Sequence, residues 1–310
     1  MRWIVSFTSI IAMLLVLASC HQDDVSDTPV GRLFPEPPDT TNMLEVANFL
    51  EDDQREIIID EETVTAEGKK RYEGIKPVPQ SGDDFRRRKL DKVYWQGETI
   101  TYSDFRGASF RSANCSKADF SYSDFRVADI RWSNFNNSKF VGCDFAQAEL
   151  FHVHANESDM HNSDFRGANM FGMEGHRSNM RNCKLTNALM KDSEFLDADF
   201  TGSIALNVML LRAVFTGAKL DSCDFSYSDF TGAGLEEATF INSRLIEVNF
   251  QGAHLQDADF AGADLQGCNF FGAEFDNTNF EGALHVPLGI KKDLVNGRIT
   301  GMSNVGINDD

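Results

Sequence analysis

Ala118-Asp119-Phe120-Ser121-Tyr122-Ser123-Asp124-Phe125-Arg126-Val127 sets the pattern of this chain: a small residue, a polar one, a large apolar one, then two that turn. Every fifth residue from Phe105 to Phe280 gives 36 positions, and 32 of them are Phe, Leu, Met or Ile. Two residues earlier in each unit, from Ser103 to Thr278, 32 of 36 are Ala, Ser, Cys or Thr. The register never slips. Positions one and three alternate inward as in a strand. The next two residues turn a corner, often with glycine, as at Gly107, Gly142, Gly202 and Gly262. A strict period of five suits neither an α-helix nor a long strand.

Units such as Ala118–Tyr122 and Ala258-Asp259-Phe260-Ala261-Gly262 resemble the pentapeptide repeat family. The resemblance implies an all-β fold, a right-handed quadrilateral parallel β-helix. Four units make one square coil, so residue n stacks on n+20. Residues 103–283 then make about nine coils, ~43 Å tall at ~4.8 Å per coil, around a packed axis of stacked rings. Two exceptions test the packing. Ala155 and Gly175 hold large positions, and their small-position partners are the oversized Val153 and Met173. Volume has changed sides twice in succession, which close packing requires.

The first nineteen residues read as an export leader: Arg2, an apolar run from Ile4 to Leu17, then Ala18 and Ser19. Leu17-Ala18-Ser19-Cys20 resembles the lipobox of bacterial lipoproteins, in which the cysteine carries the acyl chains. That resemblance implies lipidation at Cys20 and a membrane held through the lipid. His21 after the cysteine resembles a sorting signal for the outer membrane; the side it faces stays open. Residues 20–84 read as an acidic, largely disordered tether, rich in Asp, Glu and Pro. Residues 85–102 read as an N-terminal cap. Residues 284–310 read as a C-terminal cap and tail, with a short helix from Pro287 to Val295. Of the net charge of -19, the span from His21 to Asp84 carries -11. Such a chain does not seek nucleic acid phosphates.

Several surface features follow from the twenty-residue stacking. Cys143, Cys183 and Cys223 share one inward column two coils apart, ~9.6 Å, which is beyond disulfide reach. Asp104, Asp124, Asp144 and Asp164 form an acidic column, with Arg106, Arg126 and Arg166 beside it. Mutual neutralisation is one reading. DNA mimicry toward a topoisomerase, as the family resemblance allows, is another, and the export leader opposes it. Trp132, Phe151, Phe171, Leu189, Met209 and Leu211 point outward together and form a candidate protein-interaction patch. His154, Glu174 and His176 are a weak candidate metal site. The register admits no inserted loop, hence no lid and no evident active site. The sequence therefore reads as a non-catalytic binding or scaffolding lipoprotein of the bacterial envelope. It needs no cofactor, and its partner is another protein or a second copy of itself.

Overall fold

The computed structural model describes residues 80–290. The leader, Cys20, the tether up to residue 79, and the tail with the expected helix end at Val295 lie outside the described residues. Parallel single-residue bridges join each unit to the one twenty positions on, unbroken from Asp84↔Asp104 to Asp264↔Leu284. Four five-residue sides thus close each coil. Taking the coil that begins at Ser103, the first face is 103–107, the second 108–112, the third 113–117 and the fourth 118–122. Residues twenty apart share a face.

The ladder opens earlier than the expected start at Ser103. Asp84, Lys89, Tyr94 and Thr99 bridge Asp104, Ser109, Asn114 and Asp119, so residues 85–102 are a coil and not a separate cap. The sequence disguises this coil, because Arg88, Val93 and Glu98 hold its small positions. At the edge of the described ladder no described coil lies beneath an inward position, and Arg88 stands exposed. At the other end Leu284 keeps the register, its amide donating to the Ala263 carbonyl at 2.8 Å. The chain then leaves the ladder, buries Val286 and Ile290, and enters a helical turn at 288–290.

All five backbone amides from Asp104 to Ala108 have a destination. The amide of Phe105 donates to the Asp124 carbonyl of the next coil at 2.7 Å, and that of Gly107 to Arg126 at 3.0 Å. The amide of Asp104 donates back to Asp83 at 3.0 Å. The amide of Ala108 closes the turn on the Phe105 carbonyl at 2.9 Å. The fifth amide, of Arg106, donates to the Asp104 carboxylate at 3.1 Å. Asp119, Asp144, Asp199 and Asn134 accept from the residue two places on in the same way. This local side-chain bond explains why Asp and Asn recur between the small and large positions.

The third residue of each turn has positive φ, the requirement of a type II turn. Gly107 (φ 63) meets it freely, and Asn and Asp tolerate it. Val127, at φ 57, is β-branched and strained there.

Phenylalanine rings fill the axis. Phe105, Phe125, Phe145 and Phe165 stack at successive centroid separations of 4.7, 4.8 and 5.0 Å. Neighbours within a coil meet edge-on, as Phe105 and Phe110 do at 5.2 Å. Each such pair contributes about 0.5–1.5 kcal/mol beyond its burial. The small column does more than leave room. Ser133, Ser163 and Ser243 each donate to the carbonyl of a large residue one coil back, at 2.6 Å. Their hydroxyl oxygens accept from the amides of Ala113, Cys143 and Cys223. A serine here is both a small side chain and a clip between coils.

Val153, Ala155 and Met173 are all buried, as the volume exchange requires. Gly175 has a further cause. A Cβ on it would lie 2.3 Å from Cε1 of Phe195, so the ring of the next coil leans into its place. Gly175→Ala is therefore expected to destabilise by about 1–3 kcal/mol, and adding Phe195→Leu should recover part of the loss. Val127→Asn relieves a left-handed β-branched residue and should stabilise by about 1 kcal/mol. Urea unfolding of the three variants checks both expectations.

Candidate functional site

The first face carries the acidic column, and arginines thread it. Arg106 holds the Asp104 carboxylate at 2.6 Å and reaches Asp124 at 3.5 Å. Arg126 holds Asp124 at 2.6 Å and reaches Asp144 at 3.5 Å. Arg86 does the same between Asp84 and Asp104. The Arg106 hydrogen bonds hold Asp104 below the ordinary carboxylate range. Ala146 stands where the next arginine would, and Asp144 departs in the other direction. Burial raises it, and the charges of Asp164 and Asp124 add to the effect. Burial also works against Asp164, but the Arg166 bonds outweigh it and keep that carboxyl low. The partly exposed pairs at Asp104, Asp124 and Asp164 are each worth roughly 0.2–1 kcal/mol. Their main effect is to leave the column largely neutralised from Asp84 to Asp124.

The second face carries the apolar band. Trp132 is 50% exposed, and the Arg131 guanidinium lies 5.2 Å from its ring centre. Trp132 meets Phe151 edge-on at 5.8 Å, and Phe151 stacks on Phe171 at 5.2 Å. His152 stands edge-on to Phe151 at 4.3 Å. Leu189 bridges Met209 in the adjoining column, and Met209 is exposed. Across the corner, Ile204 is also exposed. Leu211 shares the column of Phe151 and Phe171, with Lys191 between it and Phe171. Lys191 is partly buried, and its ammonium has no ion pair among the described residues. A search of the sequence for apolar residues alone passes over both Lys191 and Arg131. It also passes over Tyr102 and Tyr122, an exposed pair stacked at 5.1 Å on the corner that precedes the first face.

The candidate metal site divides. His154 Nδ1 lies 2.8 Å from Glu174. His176 turns away: its Nε2 is 3.6 Å from Glu194, and its Nδ1 accepts from the Leu196 amide at 3.3 Å. Side chains thus pair one coil at a time, and His176 does not join His154 and Glu174. Among the described residues no three His, Cys, Asp or Glu side chains converge as a ligand set.

Cys115, Cys143, Cys183, Cys223 and Cys268 are buried and free. Four of them copy the serine clip, with Cys143 Sγ 3.1 Å from the Phe120 carbonyl and Cys223 Sγ 3.0 Å from that of Phe200. Burial pushes the thiols of Cys115, Cys183, Cys223 and Cys268 up to about 12. The C-terminal edge differs from the walls. A cavity of about 460 Å³ lies there, lined by Phe270, Phe271, Phe275, Pro287 and Ile290, where the chain crosses the last coil.

Comparison with known proteins places the repeat. The chain matches the pentapeptide repeat region over residues 213–284, and pentapeptide repeats over 100–126, 128–167 and 178–217. The spans together reach over more than half of the chain. The break at 168–177 contains Met173 and Gly175, where the small and large positions are exchanged. No curated protein matches the chain. Among solved structures, it is similar to HetL, a pentapeptide repeat protein involved in heterocyst differentiation regulation from the cyanobacterium Nostoc sp. strain PCC 7120. Identity there is 20%, covering 63% of this chain and 91% of that one, with a TM-score of 0.26. It is also similar to a trypsin-treated variant of QnrB1, a plasmid-mediated fluoroquinolone resistance protein, at 19% identity. That match covers 71% of this chain and 94% of the other, with a TM-score of 0.36. A pentapeptide repeat protein of the Arabidopsis thaliana thylakoid lumen is 21% identical over 33% of this chain and 74% of that one, with a TM-score of 0.31. At these identities and scores the likeness bears on neither partner nor activity.

Two titrations test the electrostatics. Asp104 and Asp164 are held low, so their contribution is present above the unfolded carboxyl value of about 4 and is lost as pH falls through the folded value. The melting temperature should hold between about pH 7 and 5 and drop below about pH 4, with a smaller drop in Arg106→Gln/Arg166→Gln. The raised thiols act oppositely. Their contribution is complete below the unfolded value of about 8.5 and is lost as pH rises toward about 12. Iodoacetamide at about pH 8 should leave the five buried thiols of the described residues unmodified until the protein is unfolded, as mass spectrometry would register.

Proposed function

Because the chain is a pentapeptide repeat protein, whose walls are a rigid array of outward side chains, we propose that it is a non-catalytic binding scaffold of the bacterial cell envelope. It engages protein through the second face and is held to a membrane by acyl chains on Cys20. The single observation that carries the binding role is the surface file on an unbroken wall in which exposed Trp132 meets Phe151 edge-on and partly exposed Phe151 stacks on Phe171. A contiguous apolar patch on a soluble surface marks an interface, and aromatic anchors dominate such contacts. No loop is inserted in the described walls, so binding falls to the faces themselves.

The anchor is supported by Leu17-Ala18-Ser19-Cys20 after a short apolar run. Several acyl chains hold where one alone is marginal. His21 favours the outer membrane. DNA mimicry receives less support: it needs open rows of negative charge, and Asp84, Asp104 and Asp124 each bear an arginine.

Palmitate labelling with and without globomycin tests the anchor. Label should enter the protein at Cys20, and Cys20→Ala should release it from the membrane fraction. An unlabelled chain recovered unprocessed from the cytosol would remove the envelope role. Affinity capture from detergent-solubilised membranes tests the face. Phe151→Asp/Phe171→Asp should abolish capture while leaving the circular dichroism spectrum and melting temperature close to those of the parent.

A further inference from the structure

We propose that the second face is the contact between two copies of this chain, packed antiparallel about a two-fold axis that passes between the rungs of Phe171 and Lys191. The proposal rests on the reading of this face as a protein-binding surface and names its occupant. A two-fold contact uses the same patch on both copies. When the axis lies in the interface and perpendicular to the coil stack, each column faces itself with its coil order reversed. The fit can therefore be read from the columns.

The central column runs Arg131, Phe151, Phe171, Lys191, Leu211, Thr231. Reversal about its midpoint sets Phe171 opposite the partner's Lys191 and Phe151 opposite the partner's Leu211. Lys191 is a partly buried residue whose ammonium has no ion pair among the described residues. An aromatic ring across the interface supplies a partner through a cation–π contact. The corner column runs Trp132, His152, Gly172, Asp192, Arg212, Gly232. The same reversal sets Trp132, half exposed, opposite the partner's Gly232. A Cβ at Gly232 would meet only Arg212 Cγ, at 3.8 Å, so the corner there is an open notch. The largest protruding side chain of the face thus meets one of its emptiest positions.

Other placements of the axis fit worse. An axis through the Lys191 rung sets two ammonium groups face to face. An axis through the Phe171 rung sets both Asp129 and Glu149 against the partner's Met209 and Leu189 and carries Trp132 away from Gly232, whereas the chosen register sets only Glu149 against the partner's Met209 and places Asn169 against the partner's Leu189. In the chosen register Asp129 approaches the partner's Asp229. Arg111 and Arg131 already hold Asp129 at 2.6 and 2.7 Å, and Thr231 and Asn249 donate to Asp229. That approach lies at the rim, where water screens it.

The test uses the chain from residue 20 onward with Cys20→Ala, so that lipid does not drive clustering. Sedimentation equilibrium should return twice the mass of the single chain, Phe171→Asp should return the single mass, and Lys191→Glu should weaken association about tenfold or more. Register is read by Phe151→Cys/Leu211→Cys under mild oxidation. Within one copy these positions are three coils, ~14 Å, apart, beyond disulfide reach, so a covalent dimer reports the pairing between copies. Phe151→Cys alone should stay uncrosslinked. A single-chain mass for the parent, or a dimer that the double variant does not bridge, overturns the proposal. If the parent is monomeric while Phe151→Asp/Phe171→Asp still loses capture of another membrane protein, the second copy is the wrong occupant and the binding face stands. If those substitutions change neither mass nor capture, the binding face falls as well.

Discussion

Three of the five amides in each repeat bond to a neighbouring coil, and those bonds tie residue n to residue n+20. Everything else in the described β-helix depends on that tie. It fixes which side chains face the axis and which rings stack. It also decides which carboxylate meets which arginine. Of the remaining two amides, one is satisfied by the turn and the other, where the second position is Asp or Asn, by that side chain. No polar backbone group in the repeating unit needs a loop to satisfy it, and the described walls carry none.

The same tie decides how far the sequence can be read. Period and stacking rule are legible because 32 of 36 large positions and 32 of 36 small ones obey them. The column of inward thiols and the file of Phe151 and Phe171 follow directly. Three features are not legible. The coil over 85–102 is hidden because edge positions are released from the small-residue rule, as exposed Arg88 illustrates. The emptiness of Gly175 depends on a ring lean from Phe195, which is a rotamer and not a register. His176 falls on the expected face, but its ring turns to the next coil, and column position alone does not set that direction.

Paired charge dominates the first face, and an apolar band joins the ion pairs of the second. On the first face arginine and aspartate alternate up the wall and cancel locally. On the second, aromatic rings keep outside the core the spacing they follow inside it, 5.2 Å for Phe151 on Phe171 against 5.0 Å for Phe145 on Phe165. The outer file is thus held by the same backbone that holds the inner one. Such a surface loses little side-chain freedom when it is covered, which lowers the entropic cost of association.

The uninterrupted ladder also constrains how this gene can change length. One inserted codon would turn every later side chain to the wrong side of the wall. Removing five residues would keep the axis filled but rotate all that follows by a quarter turn, bringing the aromatic file round to a different flank. Only gains or losses of whole twenties leave each flank's chemistry aligned, so the shortest heritable step that preserves the surface is one complete storey.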